Sequence, residues 1–181
     1  MVEVVIKQFN FKIPASFITT DILISEEYKK QCLDVIYSLG DNMNRETNLK
    51  ADMSSYELFK QTPVLHDLIK KINKRAEHCP WLYHKDYRYD LDNVWSGVYK
   101  KGDYAVSHWH LPASTSFCYY LKADPDKSTP LIFDGTDVFI KPYSGLCVYF
   151  PSYLMHSVPE QIEEDTRVVI AGNYVQRDKE N

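Results

Sequence analysis

The sequence predicts a mainly β chain, an antiparallel sandwich or barrel with two supporting helices ahead of it. Three observations carry that reading. From Tyr87 onward the chain breaks into short apolar runs separated by Gly, Pro and Asp, the spacing of consecutive antiparallel strands. The 14 tyrosines and 8 phenylalanines favour a pleated surface. No apolar pattern of helical length interrupts the second half.

In chain order, residues 2 to 13 place Val2, Val4 and Ile6 against Glu3 and Lys7, which predicts a strand ending at Pro14. Ser25 ahead of Glu26 and Glu27 is a helix N-cap with acids in the first turn, and Tyr28, Cys32, Val35, Ile36 and Leu39 recur at helical spacing up to Gly40. The polar stretch DNMNRETNLKADMSS that follows has no period and reads as a loop, with residues 41 to 55 a candidate lid or connector. A second helix is expected to open at Thr62-Pro63, as cap and first-turn proline. Its stripe is Val64, Leu65, Leu68, Ile69, Ile72 and Ala76, and Cys79-Pro80 ends it. The expected strands are YRYDLD, NVWSGVYK, YAVSHWH, STSFCYYLKA, PLIFDG, DVFIK, GLCVYF, MHSVP and RVVIAGNYV, with QRDKEN as a frayed tail. Residues 1–86 are thus read as an N-terminal strand and supporting helices, packed on a core at 87–181 within one domain of 181 residues.

A net charge of -4 gives no reason to expect a nucleic-acid or anionic-membrane partner. The cysteines at 32, 79, 118 and 147 form no CxxC pair, so reduced, buried thiols are expected. The opening MVEVVIKQFNF alternates and is broken by charge, unlike a signal peptide or a membrane span, and the expected location is cytoplasmic.

The chemistry concentrates in YKKGDYAVSHWH. Alternation along a strand points His108 and His110 to one face and Trp109 to the other, and His156 in FPSYLMHSV is a distant third. Gly102 before the first pair, and Gly145 with Pro151 before His156, supply the turns that deliver these strands. Two histidines at i and i+2 plus a distant third can enclose a divalent metal and leave its opposite side open. His66, His78 and His84 lack such context and are read as surface or packing residues. Arg167 opens the apolar strand RVVIAGNYV, where a cation needs an anionic partner. The alternatives are a salt bridge to an acid such as Glu163 or Asp165, simple exposure at the strand start, or a dicarboxylate ligand held at one end by Arg167 and at the other by the metal. Tyr99, Tyr104, Tyr119 and Tyr120 are candidates to share the carboxylate.

The order Tyr99, Gly102, His108, SFCYYLKADPD, PLIF, PYSGLCVYFPSYLMHSV and RVVIAGNYV resembles the double-stranded β-helix of the Fe(II)- and 2-oxoglutarate-dependent oxygenases. The likeness is to the prolyl-hydroxylase-like branch and its phage and bacterial members, over roughly residues 90 to 177. The resemblance implies a jelly-roll, cupin-like barrel and a dioxygenase, a hydroxylase that consumes 2-oxoglutarate and O2 and releases succinate and CO2. By it, His108, His110 and His156 would hold Fe(II), while Arg167 and Tyr120 would anchor the far carboxylate of 2-oxoglutarate and Tyr99 would line its pocket. His110 departs from the family, which has an acid there; Asp103 and Asp134 are the alternative ligands. The chain also satisfies the histidine spacing of cupin-type three-histidine dioxygenases, which need no co-substrate, but lacks the glutamate those proteins carry after the histidine pair. A non-catalytic β-barrel binding module is the third alternative. Trp95 and Trp109 are candidate substrate contacts. The primary substrate is not encoded legibly; a protein prolyl residue follows only by analogy with the branch resembled.

Overall fold

A computed structural model describes residues 15–79, 82, 86–164 and 166–179; the strand expected over residues 2 to 13 lies outside them. Strand β1 (Ile18–Asp21) leads to helix α1 (Glu26–Ser38). The Ser25 hydroxyl accepts from the Tyr28 N–H at 3.2 Å, as the cap pattern requires. Cys32 and Ile36 form the buried stripe of α1.

The segment expected to be a loop instead feeds both sheets. Strands β2 (Leu49–Lys50) and β3 (Asp52–Met53) pair with separate partners across a single intervening residue. After the short helix α2 (Leu58–Gln61), Pro63–Leu65 forms a 3-10 turn, and helix α3 (His66–Ala76) begins later than the Thr62-Pro63 pair predicts. The cause is local: the Thr62 hydroxyl donates back to the Leu58 carbonyl and so closes α2 rather than capping α3.

The remaining strands are β4 (Tyr87–Tyr99), β5 (Tyr104–His108), β6 (Thr115–Lys122), β7 (Leu131–Phe133), β8 (Phe139–Ile140), β9 (Leu146–Pro151), β10 (His156–Val158) and β11 (Arg167–Asp178). Two runs expected as separate strands are thus joined in β4. The expected tail continues β11, with Gln176, Arg177 and Asp178 opposite Tyr89, Arg88 and Tyr87. Among the described residues, one sheet has the order β1-β9-β6-β11-β4-β3 and the other β2-β5-β10-β7-β8. All pairings between these strands are antiparallel.

Strand alternation divides the core in two. Phe117, Tyr119 and Leu121 of β6 and Val168, Ile170 and Tyr174 of β11 pack against the helices, with Leu68, Ile69 and Ile72 of α3. Tyr120 and Val169 point the other way, into a cluster with Leu131, Phe133, Val148, Phe150 and Val158 between the sheets. The tyrosines bolt the helices down. Tyr149 donates to the Ile72 carbonyl and Tyr174 to Asn73 Oδ1, each at 2.7 Å, and Tyr28 donates to the Val64 carbonyl at 2.6 Å. Buried hydroxyls with partners keep the apolar area of the ring without a desolvation penalty. No described helix is long and apolar enough to cross a membrane.

Candidate metal centre and anion pocket

Strand β10 lies between β5 and β7, and its register sets His156 directly opposite His108. Cross-strand partners carry their side chains on one face, so these rings meet at a centroid distance of 4.3 Å. His110 arrives by another route. Strand β5 ends at His108, and His110 is fixed instead by its own N–H, which donates to the Ser152 carbonyl at 2.8 Å. Its ring then stands 5.0 Å from those of both His108 and His156, and the two Nε2 atoms of His110 and His156 are 3.2 Å apart.

One ligand atom from each of the three histidines lies within 4.8 Å of the others. The Nδ1 atoms of His108 and His156 meet the carbonyls of Val106 and Leu154 at 2.7 and 2.8 Å. A carbonyl accepts only, so Nδ1 carries the hydrogen and Nε2 presents its lone pair to the cluster. Burial and neighbouring imidazoles push His110 down to about 3, and burial with the nearby His108 pushes His156 down to about 4. Burial also lowers His108. The rings are therefore neutral at pH 7 and able to ligate a cation.

The two acids considered as alternative ligands are engaged elsewhere. Asp134 accepts from Ser107 Oγ at 2.5 Å and Ser157 Oγ at 2.7 Å, and Asp103 accepts from the Lys100 N–H at 2.7 Å. Among the other histidines, His66 Nε2 meets the Phe59 carbonyl at 2.8 Å and His78 is exposed, while His84 lies outside the described residues.

Arg167 opens β11 opposite Tyr99 and is only 1 % exposed. Its guanidinium carbon sits 4.8 Å from the centre of the Tyr99 ring and 5.0 Å from that of Tyr120. Nη1 donates to the Thr129 carbonyl at 2.8 Å, but Nε and the Tyr120 hydroxyl are buried with no oxygen or nitrogen partner among the described residues, and the Cys118 thiol lies beside both. Glu163 is exposed, Glu164 pairs with Lys101, and Asp165 lies outside the described residues. No described carboxylate pairs with this guanidinium. Burial raises Tyr120 well above its ordinary value, so it stays a neutral O–H donor. A buried cation and a buried hydroxyl side by side, with no carboxylate partner among the described residues, are a donor set that a carboxylate ligand satisfies.

The three histidines and Arg167 open on one cavity of about 370 Å³. His108, His110 and His156 line it with Arg167 and Tyr99, while Leu131, Val158 and Val169 supply apolar wall. Tyr120 packs against the guanidinium rather than on the wall. Trp95 and Trp109 also line the cavity; Trp95 is buried with its ring 5.5 Å from that of His110, and Trp109 is 56 % exposed. Sequence reasoning missed Thr47, Asn48 and Leu49 of the supposed loop, and Asn93 and Asn173, which line the same cavity. Asn173 could have been flagged as Arg167 was, since it too is a polar residue inside an apolar strand run.

No family model matches the chain, and no curated protein matches it. Solved structures do. A viral collagen prolyl hydroxylase from Paramecium bursaria Chlorella virus-1, in its 2-oxoglutarate complex, superposes with a TM-score of 0.68 at 14% identity, over 87% of this chain and 94% of that one. The fold is that of the 2-oxoglutarate-dependent oxygenases. The same double-stranded β-helix relates the chain to the non-heme α-ketoglutarate-dependent epimerase SnoN of nogalamycin biosynthesis, with a TM-score of 0.71 at 9% identity, covering 91% of this chain and 81% of that one. It relates it also to HygX from Streptomyces hygroscopicus with iron bound, with a TM-score of 0.62 at 12% identity, over 89% and 82%. A prolyl hydroxylase and an epimerase share this oxygenase fold, so the fold leaves the reaction open.

Proposed function

We propose that this chain is an Fe(II)- and 2-oxoglutarate-dependent dioxygenase that hydroxylates a small-molecule or protein substrate. The observation that carries the reading is the pairing, in one cavity, of three converging neutral imidazoles with a buried guanidinium that has no described anionic partner. In this reading His108, His110 and His156 hold the metal through their ring nitrogens. Arg167 and the Tyr120 hydroxyl hold the 5-carboxylate of 2-oxoglutarate, and Tyr99 covers it. Bound Fe(II) would supply O2 activation at the expense of 2-oxoglutarate, which leaves as succinate and CO2. The residues' own work is to fix the reactants in register and to exclude water with Leu131, Val158 and Val169. Three neutral imidazoles leave the cation its full double charge, one unit more than a site with a carboxylate, and this favours a dianionic co-substrate.

The collagen prolyl hydroxylase likeness makes a protein prolyl residue one substrate class to test. His110 itself favours a second reading, a three-histidine dioxygenase that works without 2-oxoglutarate; the unpaired Arg167 argues against it. Oxygen uptake and succinate formation with Fe(II), with and without 2-oxoglutarate, separate the two. The expected result is slow, 2-oxoglutarate-dependent uptake with matching succinate even before the primary substrate is found. Uptake indifferent to 2-oxoglutarate would overturn the assignment.

A further inference from the structure

A polar run crosses the cavity wall where the strands around it are apolar. The pairing of β11 with β4 passes from Asn173↔Asn93 to Tyr174↔Leu91 and skips Asp92. The extra residue is a β-bulge, a device that re-aims side chains beside functional sites. Asp92 and Asn93 consequently both line the cavity although they are consecutive, while Leu91 and Tyr174 pack on the helix side.

From the bulge a hydrogen-bonded chain runs inward. Asn93 Nδ2 donates to Asp92 Oδ2 at 2.9 Å, and Asn173 Nδ2 donates to Asn93 Oδ1 at 2.9 Å. Ser116 Oγ donates to Asn173 Oδ1 at 2.8 Å, and Ser152 Oγ lies 2.8 Å from Ser116 Oγ. An ionised carboxylate only accepts, so Asp92 orients Asn93, Asn93 orients Asn173, and the hydrogen of Ser116 is spent on Asn173. Ser152 therefore donates to Ser116. The chain ends beside the imidazoles, because Ser152 is the residue whose carbonyl receives the His110 N–H.

Each amide nitrogen has a second hydrogen with no acceptor among the described residues, and Asn173 is only 7 % exposed. At Asn173 a donor left unused in a buried wall is costly until a ligand accepts from it, while Asn93 is half-buried at the outer end. Trp95, two residues along β4 from Asn93, lines the same cavity, as does Pro112.

We propose that this wall is the substrate subsite. The free N–H groups of Asn93 and Asn173 donate to a carbonyl oxygen of an uncharged, amide-bearing substrate, and the Trp95 ring supports its apolar part next to the imidazoles. The inference rests on the oxygenase reading and adds a substrate class to it. Asp92 at the outer end is itself met by Arg177 Nη2 at 3.9 Å, and Arg167 is the one arginine or lysine among the described residues that line the cavity, so this wall offers an anionic substrate no free cation.

The test uses the full chain loaded with Zn(II) and 2-oxoglutarate, titrated with N-acetyl-leucinamide and, separately, with the carboxylate N-acetyl-leucine. Side-chain amide resonances of Asn93 and Asn173 are followed by NMR. Saturable shifts of both pairs are expected with the amide, with at least tenfold weaker binding of the carboxylate and at least tenfold weaker amide binding in Asn173→Asp. If that variant fails to fold, Asn93→Ala at the half-buried end gives the same comparison. A purely structural hydrogen-bond chain would leave both resonance pairs unmoved, and such a result, or unchanged amide affinity in the variants, overturns the proposal. Binding of 2-oxoglutarate to the wild type, measured calorimetrically, separates the two levels: its absence defeats the oxygenase reading, whereas its presence with silent amides defeats only the subsite.

Discussion

Replacing Arg167 by Met tests the anion pocket with a magnitude that follows from its burial. The guanidinium is 1 % exposed, and its Nε and the adjacent Tyr120 hydroxyl have no oxygen or nitrogen partner among the described residues. A carboxylate bound there makes charge-assisted bonds away from water, and truncating one member of such a buried pair costs about 2–5 kcal/mol. At about 3 kcal/mol the affinity for 2-oxoglutarate falls roughly 150-fold. A concentration that stabilises the wild type by about 2.7 kcal/mol would then stabilise the variant by only about 0.3 kcal/mol. The ligand-free variant should differ little from the wild type, within about 1 kcal/mol. It loses the Thr129 bond and the contacts with Tyr99 and Tyr120, and it sheds a buried charge that has no carboxylate partner among the described residues. Thermal unfolding under anaerobic Mn(II), with and without 2-oxoglutarate, reads both quantities. A variant that the ligand stabilises as strongly as the wild type would refute the reasoning.

Three further outcomes follow from the same geometry. Alanine at His108, His110 or His156 should each weaken Co(II) binding, followed by its visible absorption, by more than the 10- to 100-fold typical of losing an outer hydrogen-bond partner; full retention in His110→Ala would remove that residue from the ligand set. At Gly172, an added Cβ would lie 2.5 Å from the Asn93 carbonyl oxygen and 2.6 Å from the Phe117 ring. Gly172→Ala should therefore lower stability in urea by about 1–3 kcal/mol or more, and an unchanged midpoint would show that β4 and β11 can part without cost. Burial pushes Cys79 up to about 12 and raises Cys32 and Cys147 as well, so at pH 8 only about one Cys79 in ten thousand is thiolate. Ellman's reagent should leave these thiols unmodified until denaturant is added, and rapid native labelling would contradict the packing.

What the sequence made legible was whatever depends on near neighbours. The Ser25 cap, the stripe Leu68, Ile69, Ile72 and Ala76, and the inward and outward alternation of β6 and β11 are all set by residues a few positions apart. The segment 41 to 55 failed for the converse reason. Leu49 and Met53 are strand residues only because Ala105 and Gly97 lie opposite them, and a strand two residues long has no period to read. The join within β4 was hidden by its bulge, which shifts the alternation at Asp92 and so looks like a break between two strands. Thr62 was misread because a threonine hydroxyl can bond backward to the carbonyl four residues earlier as readily as forward to a new helix.

His110 stands beside His108, but strand alternation is not what places it there. Alternation along a strand was the argument for placing it beside His108, yet β5 ends at His108 and strand geometry does not govern His110. Its backbone is anchored to Ser152, just past the end of β9, and Ala113 N–H in turn bonds the His110 carbonyl at 3.0 Å. The ring is thus held by a turn that leans on the opposite sheet from the one carrying His108 and His156. The three-histidine cluster is drawn from both sheets and depends on their spacing, whereas the His108 and His156 pair depends on one ladder. Changes at Ser152 or in the turn before Ala113 should therefore displace His110 while leaving the His108 and His156 pair in register.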